Sequence, residues 1–204
     1  LSTSKILLIV LGVVAVVAVI AGFGIAGTYN SLVGLDQNTQ SAWADVESAY
    51  QRRNDLIPNL VETVKGAAKF EQDTLTAVTE ARAKVGQITP QAAENITTNP
   101  AAMQRFQEAQ AGLGSALSRL MVVVEKYPEL KATKNFQDLQ FTLDQTENRI
   151  GVERRRFNEA AQAFNTRRDS FPTVLIAGFF GSKFQPKVYF QADAGAEKAP
   201  EVKF

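Results

Sequence analysis

From Ile6 to Ala26 every residue is apolar or small and none is charged. After Lys5 the first acidic residue is Asp36 and the next basic one is Arg52. As a helix, this run would be about 32 Å long, enough to cross the hydrocarbon core of a bilayer. Beyond it the pattern becomes periodic. From Leu35, apolar or small positions recur at Ala42, Val46, Ala49, Leu56, Leu60, Val64, Ala67 and Leu75, ending near Val85. Steps of three and four residues predict one buried helical stripe. Pro58 lies inside it and is expected to kink the helix, or to restart it with Asp55 near the new N-terminus.

Thr89-Pro90 and Asn99-Pro100 each read as an N-cap followed by proline at the first helical position. The helix after Asn99 carries Met103, Phe106, Leu113, Leu117, Leu120 and Val124 and stops at Tyr127-Pro128. A last long helix is predicted from a cap at Asn135. Along it Phe136, Leu143, Ile150, Phe157, Phe164 and Phe171 recur every seven residues, with Leu139, Thr146, Glu153, Ala160 and Arg167 in the intervening seam. A heptad stripe predicts coiled-coil-like packing with shallow left-handed crossings. Only Lys187 to Gln191 has a strand-like period.

The expected fold is all-α: a single transmembrane helix, then an elongated antiparallel bundle of three to four long helices. Its parts are an anchor over 1–29, a bundle over 30–171, an apolar segment over 172–190 and a flexible tail over 191–204. The apolar segment, with Phe179, Phe180 and Phe184, either caps an open bundle end or touches lipid headgroups or a partner. The ending Pro200 to Phe204 could add to a sheet edge on a partner, with Val202 and Phe204 as contacts.

Composition narrows the chemistry. The chain has no His and no Cys, which excludes Ser-His-Asp and Cys-His catalysis, thiolate clusters and ordinary zinc sites. No cofactor or metal is expected. A formal net charge of +1 creates no field for nucleic acid. Arg154, Arg155 and Arg156 are consecutive and so point to different faces of a helix; they read as a solvated, partly neutralised surface. Gly178 and Gly181 are wrongly spaced for a phosphate-binding P-loop.

The apolar run exceeds the usual 7–15 residue core of a signal peptide, although Gly24-Ile25-Ala26 is a plausible cleavage site. A retained anchor is expected. Lys5 precedes the run, which places the N-terminus in the cytoplasm and the body outside. Ala15, Ala18, Gly22 and Ala26 form a small-residue face suited to self-association in lipid.

Two charged residues fall on buried stripes: Arg53 on the first helix and Glu153 on the last. A buried charge requires a partner. The candidates are each other and the neighbours Arg52, Asp55, Glu62, Glu147 and Arg149, in a structural polar layer that fixes register. A carboxylate-dependent hydrolase or regulatory enzyme subunit using this layer is the rival reading. A solvent-open cleft would favour that rival, and a closed layer a scaffold.

Four segments together resemble the LemA family of bacterial membrane proteins: Arg52 to Gly66 (RRNDLIPNLVETVKG), Leu117 to Ala132 (LSRLMVVVEKYPELKA), Thr146 to Asn158 (TENRIGVERRRFN) and Ala196 to Phe204. The likeness spans essentially the whole chain. It implies a single-span protein with a helical-bundle body at a bacterial membrane. It carries over no catalytic residue. Many members have a His beside the acidic residue near Glu71, where this chain has Phe70. The expected role is a non-enzymatic envelope scaffold or adaptor that self-associates and meets other membrane proteins. Lipid organisation through Phe179-Phe180 is a third reading.

Overall fold

A computed structural model describes residues 3–66, 71–87 and 95–191. The first element, α1, is one unbroken helix, Thr3–Lys65, about 94 Å long. The large apolar side chains from Leu7 to Ile25 are all exposed. Contact with the rest of the protein begins at Thr28, which is buried. The following helices are α2 (Gln72–Gly86), α3 (Pro100–Val124), the short α4 (Pro128–Lys131), α5 (Lys134–Asp169) and α6 (Thr173–Phe179). A 3-10 turn, Gly181–Phe184, leads into an extended segment ending at Gln191. Among the described residues there is no strand.

The body is two antiparallel helix pairs laid face to face. α5 runs back along α1, and α2 lies against α3. Trp43 meets Phe106 and Arg53 meets Gln110, so α3 runs in the same direction as α1. The far end of the core joins Leu60 and Val64 of α1 with Leu75, Leu120, Phe136 and Leu143. The middle is aromatic, with Trp43, Tyr50, Phe106, Phe157 and Phe190. The end next to the apolar run is closed by Leu32, Phe164, Ala177 and Phe184.

Pro58 does not end or restart α1, which continues through it; the break falls after Lys65 instead. Proline cannot donate to the carbonyl of Asn54, four residues back. Arg82 of α2 fills that vacancy, its Nε donating to the Asn54 carbonyl at 3.3 Å. Asn99 caps α3 as expected, accepting from the backbone N–H groups of Ala101 and Ala102 at 3.0 and 3.2 Å. Asn135 does not cap α5, which starts from Thr133. The Thr133 hydroxyl turns back to donate to the Leu130 carbonyl at 2.7 Å, closing the turn behind it. Thr89-Pro90 and Ala67 lie outside the described residues.

The heptad positions Phe136, Leu143, Ile150, Phe157 and Phe164 are buried. Phe171 is exposed because α5 ends at Asp169. In the seam, Thr146, Glu153 and Ala160 are buried and Arg167 is exposed.

Candidate functional site

Three groupings of polar or exposed side chains stand out. The first surrounds Arg53. Its guanidinium is buried and bridges three helices. Nη1 donates to Glu147 of α5 at 2.9 Å, and Nη2 donates to Gln110 of α3, to its side-chain oxygen at 2.6 Å and its carbonyl at 3.2 Å. The group also lies over the Tyr50 ring at 5.1 Å. Gln110 is itself buried, so the Arg53 charge is paired through Nη1 and Nη2 in a region where an unpaired charge would be costly, while its Nε is buried without a hydrogen-bond partner. Glu147 keeps 61% of its side chain in solvent and lines an open groove with Gly114, Ser118 and Arg154.

Glu153 makes a separate group one helical face away. It is 4% exposed and is held by two surface arginines of its own helix, Arg156 at 3.2 Å and Arg149 at 3.6 Å. Arg53 and Glu153 therefore each have partners, but not each other. Arg52, Asp55 and Glu62 are exposed and stand apart from both groups. Asp55 accepts from Gln51 at 2.7 Å and Glu62 pairs with Lys65 at 2.8 Å. Glu153→Gln should lower stability by about 1 kcal/mol, or roughly 2–4 °C in Tm, since both partners are solvated. An unchanged Tm would show that the buried carboxylate is not held by these pairs.

The second grouping is a strap. Residues 185–191 run extended along the groove between α1, α3 and α5 with no ladder to pair with. The Val188 N–H donates to the Thr97 carbonyl at 2.9 Å, and two asparagines of α5, two turns apart, hold the residues on either side. Asn165 donates to the Lys187 carbonyl at 2.8 Å and accepts from its N–H at 2.8 Å. Asn158 does the same for Phe190, at 3.1 and 2.9 Å. Each amide thus acts like one residue of a neighbouring strand. Gln191 is tied at both its carbonyl, by Arg154, and its N–H, by Gln107. The strap also buries Lys187, whose ammonium lies 2.5 Å from Asp36 of α1 and over the Phe164 ring.

The third lies where α1 leaves the bundle. Phe180 and Phe184 pack on Tyr29 with ring centres 4.9 and 5.5 Å away. Lys183 sits over the Tyr29 ring at 4.8 Å and contacts its hydroxyl. Phe184 is fully buried, while Phe179 points outward. The two readings of the 172–190 segment thus fall on different residues: Phe184 closes the bundle, and Phe179 is left uncovered.

The sequence model of the LemA family matches residues 42–204. The chain belongs to the LemA family. With its bare apolar N-terminal helix, it is a membrane-associated member. Two relatives named Magnetosome protein MamQ, from Paramagnetospirillum magneticum, are each 28% identical over 198 residues, covering 90% of this chain and 71% of the relative. Magnetosome protein MamQ of Magnetospirillum gryphiswaldense is 25% identical over 169 residues, 76% of this chain and 62% of its own. Protein LemA of Metamycoplasma hominis is 26% identical over 155 residues, 76% of this chain and 66% of its own.

Three of the segments that carry the LemA likeness meet in the fold. Residues 52–66 supply Arg53 and the Asn54 carbonyl behind Pro58, and residues 146–158 supply Glu147, Glu153 and Asn158. Residues 117–132 pack Leu117, Leu120, Val124 and Leu130 beside Leu60 and Val64. The ending, with Val202 and Phe204, lies outside the described residues, as does Phe70. Glu71 pairs with Lys126 at 3.2 Å. Sequence reasoning did not single out Gln110, Asn158, Asn165, Lys187 or Phe190. The seven-residue spacing of Asn158 and Asn165 on a half-buried line was the available signal. Of the three consecutive arginines, Arg154 covers the Phe190 ring at 5.0 Å, Arg156 meets Glu153 and Arg155 faces solvent.

Proposed function

We propose that this LemA-family protein is a membrane-anchored scaffold or adaptor of the bacterial envelope, which holds an elongated bundle at a set height for protein partners and self-associates. The observation that carries this reading is α1. One helix without a break contains both the apolar run and the longest strut of the bundle. A continuous helix transmits position and orientation from one end to the other, which a flexible linker cannot. The span has the small-residue face Ala15, Ala18, Gly22 and Ala26. A Cβ added at Gly22 meets nothing within 4 Å in the chain itself, so this face is open to a second helix. Lys5 ahead of the run favours the N-terminus inside and the bundle outside the cytoplasm.

The rival enzymatic reading needs two facing carboxylates or a carboxylate and a nucleophile. The open groove that Glu147 lines with Ser115 and Ser118 is the opening this rival has. Against it, Glu147 is engaged by Arg53, Glu153 is buried against its own two arginines, and five surface cavities carry a single carboxylate each, Asp36, Glu47, Glu108, Glu147 or Glu159, so none holds a facing pair. This supports a scaffold.

Crosslinking of the full-length protein in its native membrane, followed by mass analysis, tests the proposal. A defined homo-oligomer or a stoichiometric protein partner is expected. Gly22→Ile should abolish the homo-oligomer without unfolding the bundle. A bare monomer with no partner would overturn the scaffold reading.

A further inference from the structure

Three large apolar side chains at the end of the bundle have no protein cover: Phe171 is 81% exposed, Leu175 66% and Phe179 85%. Helix α6 turns Thr173 and Ala177 inward, both buried, with Ala177 packed on Leu32, Phe164 and Phe184. Residues two apart on a helix lie about 160° from one another around its axis. Leu175 and Phe179 therefore occupy the face opposite the bundle.

Their height along α1 follows from register. The Thr39 hydroxyl lies 3.3 Å from the Ala160 carbonyl, which aligns α5 antiparallel to α1. Both helices rise equally per residue, so Asp169, the last residue of α5, comes level with Asn30, and the chain turns into α6 from there. At the other end of α6, Phe180 packs on Tyr29. Both ends of α6 thus lie within about a turn of Ala26, where the apolar run stops. The helix lies across the end of the bundle with its uncovered face directed away from the core, toward the layer that surrounds the span. Two exposed cations lie at this end of the bundle: Lys183, beside Tyr29, and Arg167 in the last turn of α5.

We infer that α6 is a second membrane contact. Phe171, Leu175 and Phe179 enter the headgroup–acyl boundary of the bilayer that α1 crosses, and Lys183 and Arg167 face lipid phosphates. The inference rests on the reading of 6–26 as a span. Given that span, α1 holds this face at the level of the headgroups, where lipid is the local solvent and apolar side chains flanked by cations are favoured. With two contacts, the bundle is clamped against the surface and does not swing about the point where α1 emerges.

The absence of Cys from the chain makes single-cysteine nitroxide probes clean reporters. Leu175→Cys, Phe179→Cys, Val16→Cys and Val122→Cys replace exposed side chains and should leave the fold intact. The full-length variants, in vesicles of phosphatidylethanolamine and phosphatidylglycerol, are tested for collision with oxygen and with a water-soluble nickel chelate. Probes at 175 and 179 are expected to meet oxygen freely and the chelate weakly, at a depth near the phosphates. The probe at 16 should lie deep and the probe at 122, in the last turn of α3, in water. If 16 is in the bilayer while 175 and 179 collide with the chelate as often as 122 does, the second contact is refuted and the span stands. Shielding of 175 and 179 from both reagents would mean that protein covers them, which also overturns the inference. Chelate access at 16 would remove the span and this inference with it.

Discussion

Replacing Phe190 with Ala is expected to destabilise the body by about 3–4 kcal/mol, the range for a large aromatic deleted from a packed core. Phe190 comes from the strap, not from a helix, yet it is buried at the centre of the aromatic cluster. It stacks on Trp43 with ring centres 5.8 Å apart, meets Phe157 edge-on at 5.6 Å and lies under Arg154. The substitution would open a cavity between α1, α3 and α5 and weaken the hold of Asn158 on the chain beside it. Denaturant unfolding of the full-length protein in detergent, followed through Trp43, the single tryptophan, would measure the loss. Phe141→Ala is the matched control. It removes the same side chain from an exposed site on α5 and should change stability by no more than about 0.5 kcal/mol. If Phe190→Ala and Phe141→Ala behave alike, the strap is not part of the core.

A proline at Gly27 is expected to separate the anchor from the bundle mechanically. Gly27 is exposed in the middle of α1, just before the first bundle contact at Thr28. Proline in a helix interior removes one backbone hydrogen bond, clashes with the preceding turn and costs about 3 kcal/mol. Pro58 is tolerated because Arg82 donates to the carbonyl it leaves free. The carbonyl orphaned by Gly27→Pro would be that of Phe23, on a stretch whose side chains are exposed and unpartnered among the described residues. The kink would therefore be absorbed by a bend. The distance between spin labels at Val14→Cys and Val122→Cys should be narrowly distributed in the parent and broad or shifted in Gly27→Pro. Thermal unfolding of the bundle should be unchanged. Gly27→Ala, where the new Cβ meets nothing within 4 Å, should keep the narrow distribution and firm the helix by about 0.5–1 kcal/mol. An unaltered distance in Gly27→Pro would show that α1 does not set the orientation of the bundle.

Glu153 and Arg53 show how far a sequence can locate a site. Periodicity placed both on buried stripes, and both are buried. It listed Glu147 among the candidates for Arg53 but did not select it from the others, and it did not list Gln110. The partners of Glu153 are local, one turn to either side, and Arg149 was among the candidates. Those of Arg53 lie 57 and 94 residues away, on α3 and α5. A buried charge announces that a partner is needed, but only the packing of distant helices selects it.

The same division holds across the molecule. The sequence by itself determined the apolar run, the extent of α3 with its Asn99 cap, and the heptad stripe from Phe136 to Phe164. Each is written in spacing and in side-chain to backbone contacts between near neighbours. Only the tertiary structure decided that Pro58 would sit inside an unbroken helix, because the donor that permits it belongs to α2. It alone placed Lys187 and Phe190 of the 185–191 segment in the core, because that segment has no periodic hydrogen bonding of its own and its backbone is held by Asn158, Asn165, Arg154, Gln107 and the Thr97 carbonyl. It also left Phe171, Leu175 and Phe179 outside at the same end of the bundle, since the docking of α6 turns Ala177 onto Leu32, Phe164 and Phe184 and leaves its other face uncovered. Local spacing sets which residues form a helix and which face is apolar; non-local packing sets which exposed and buried groups meet.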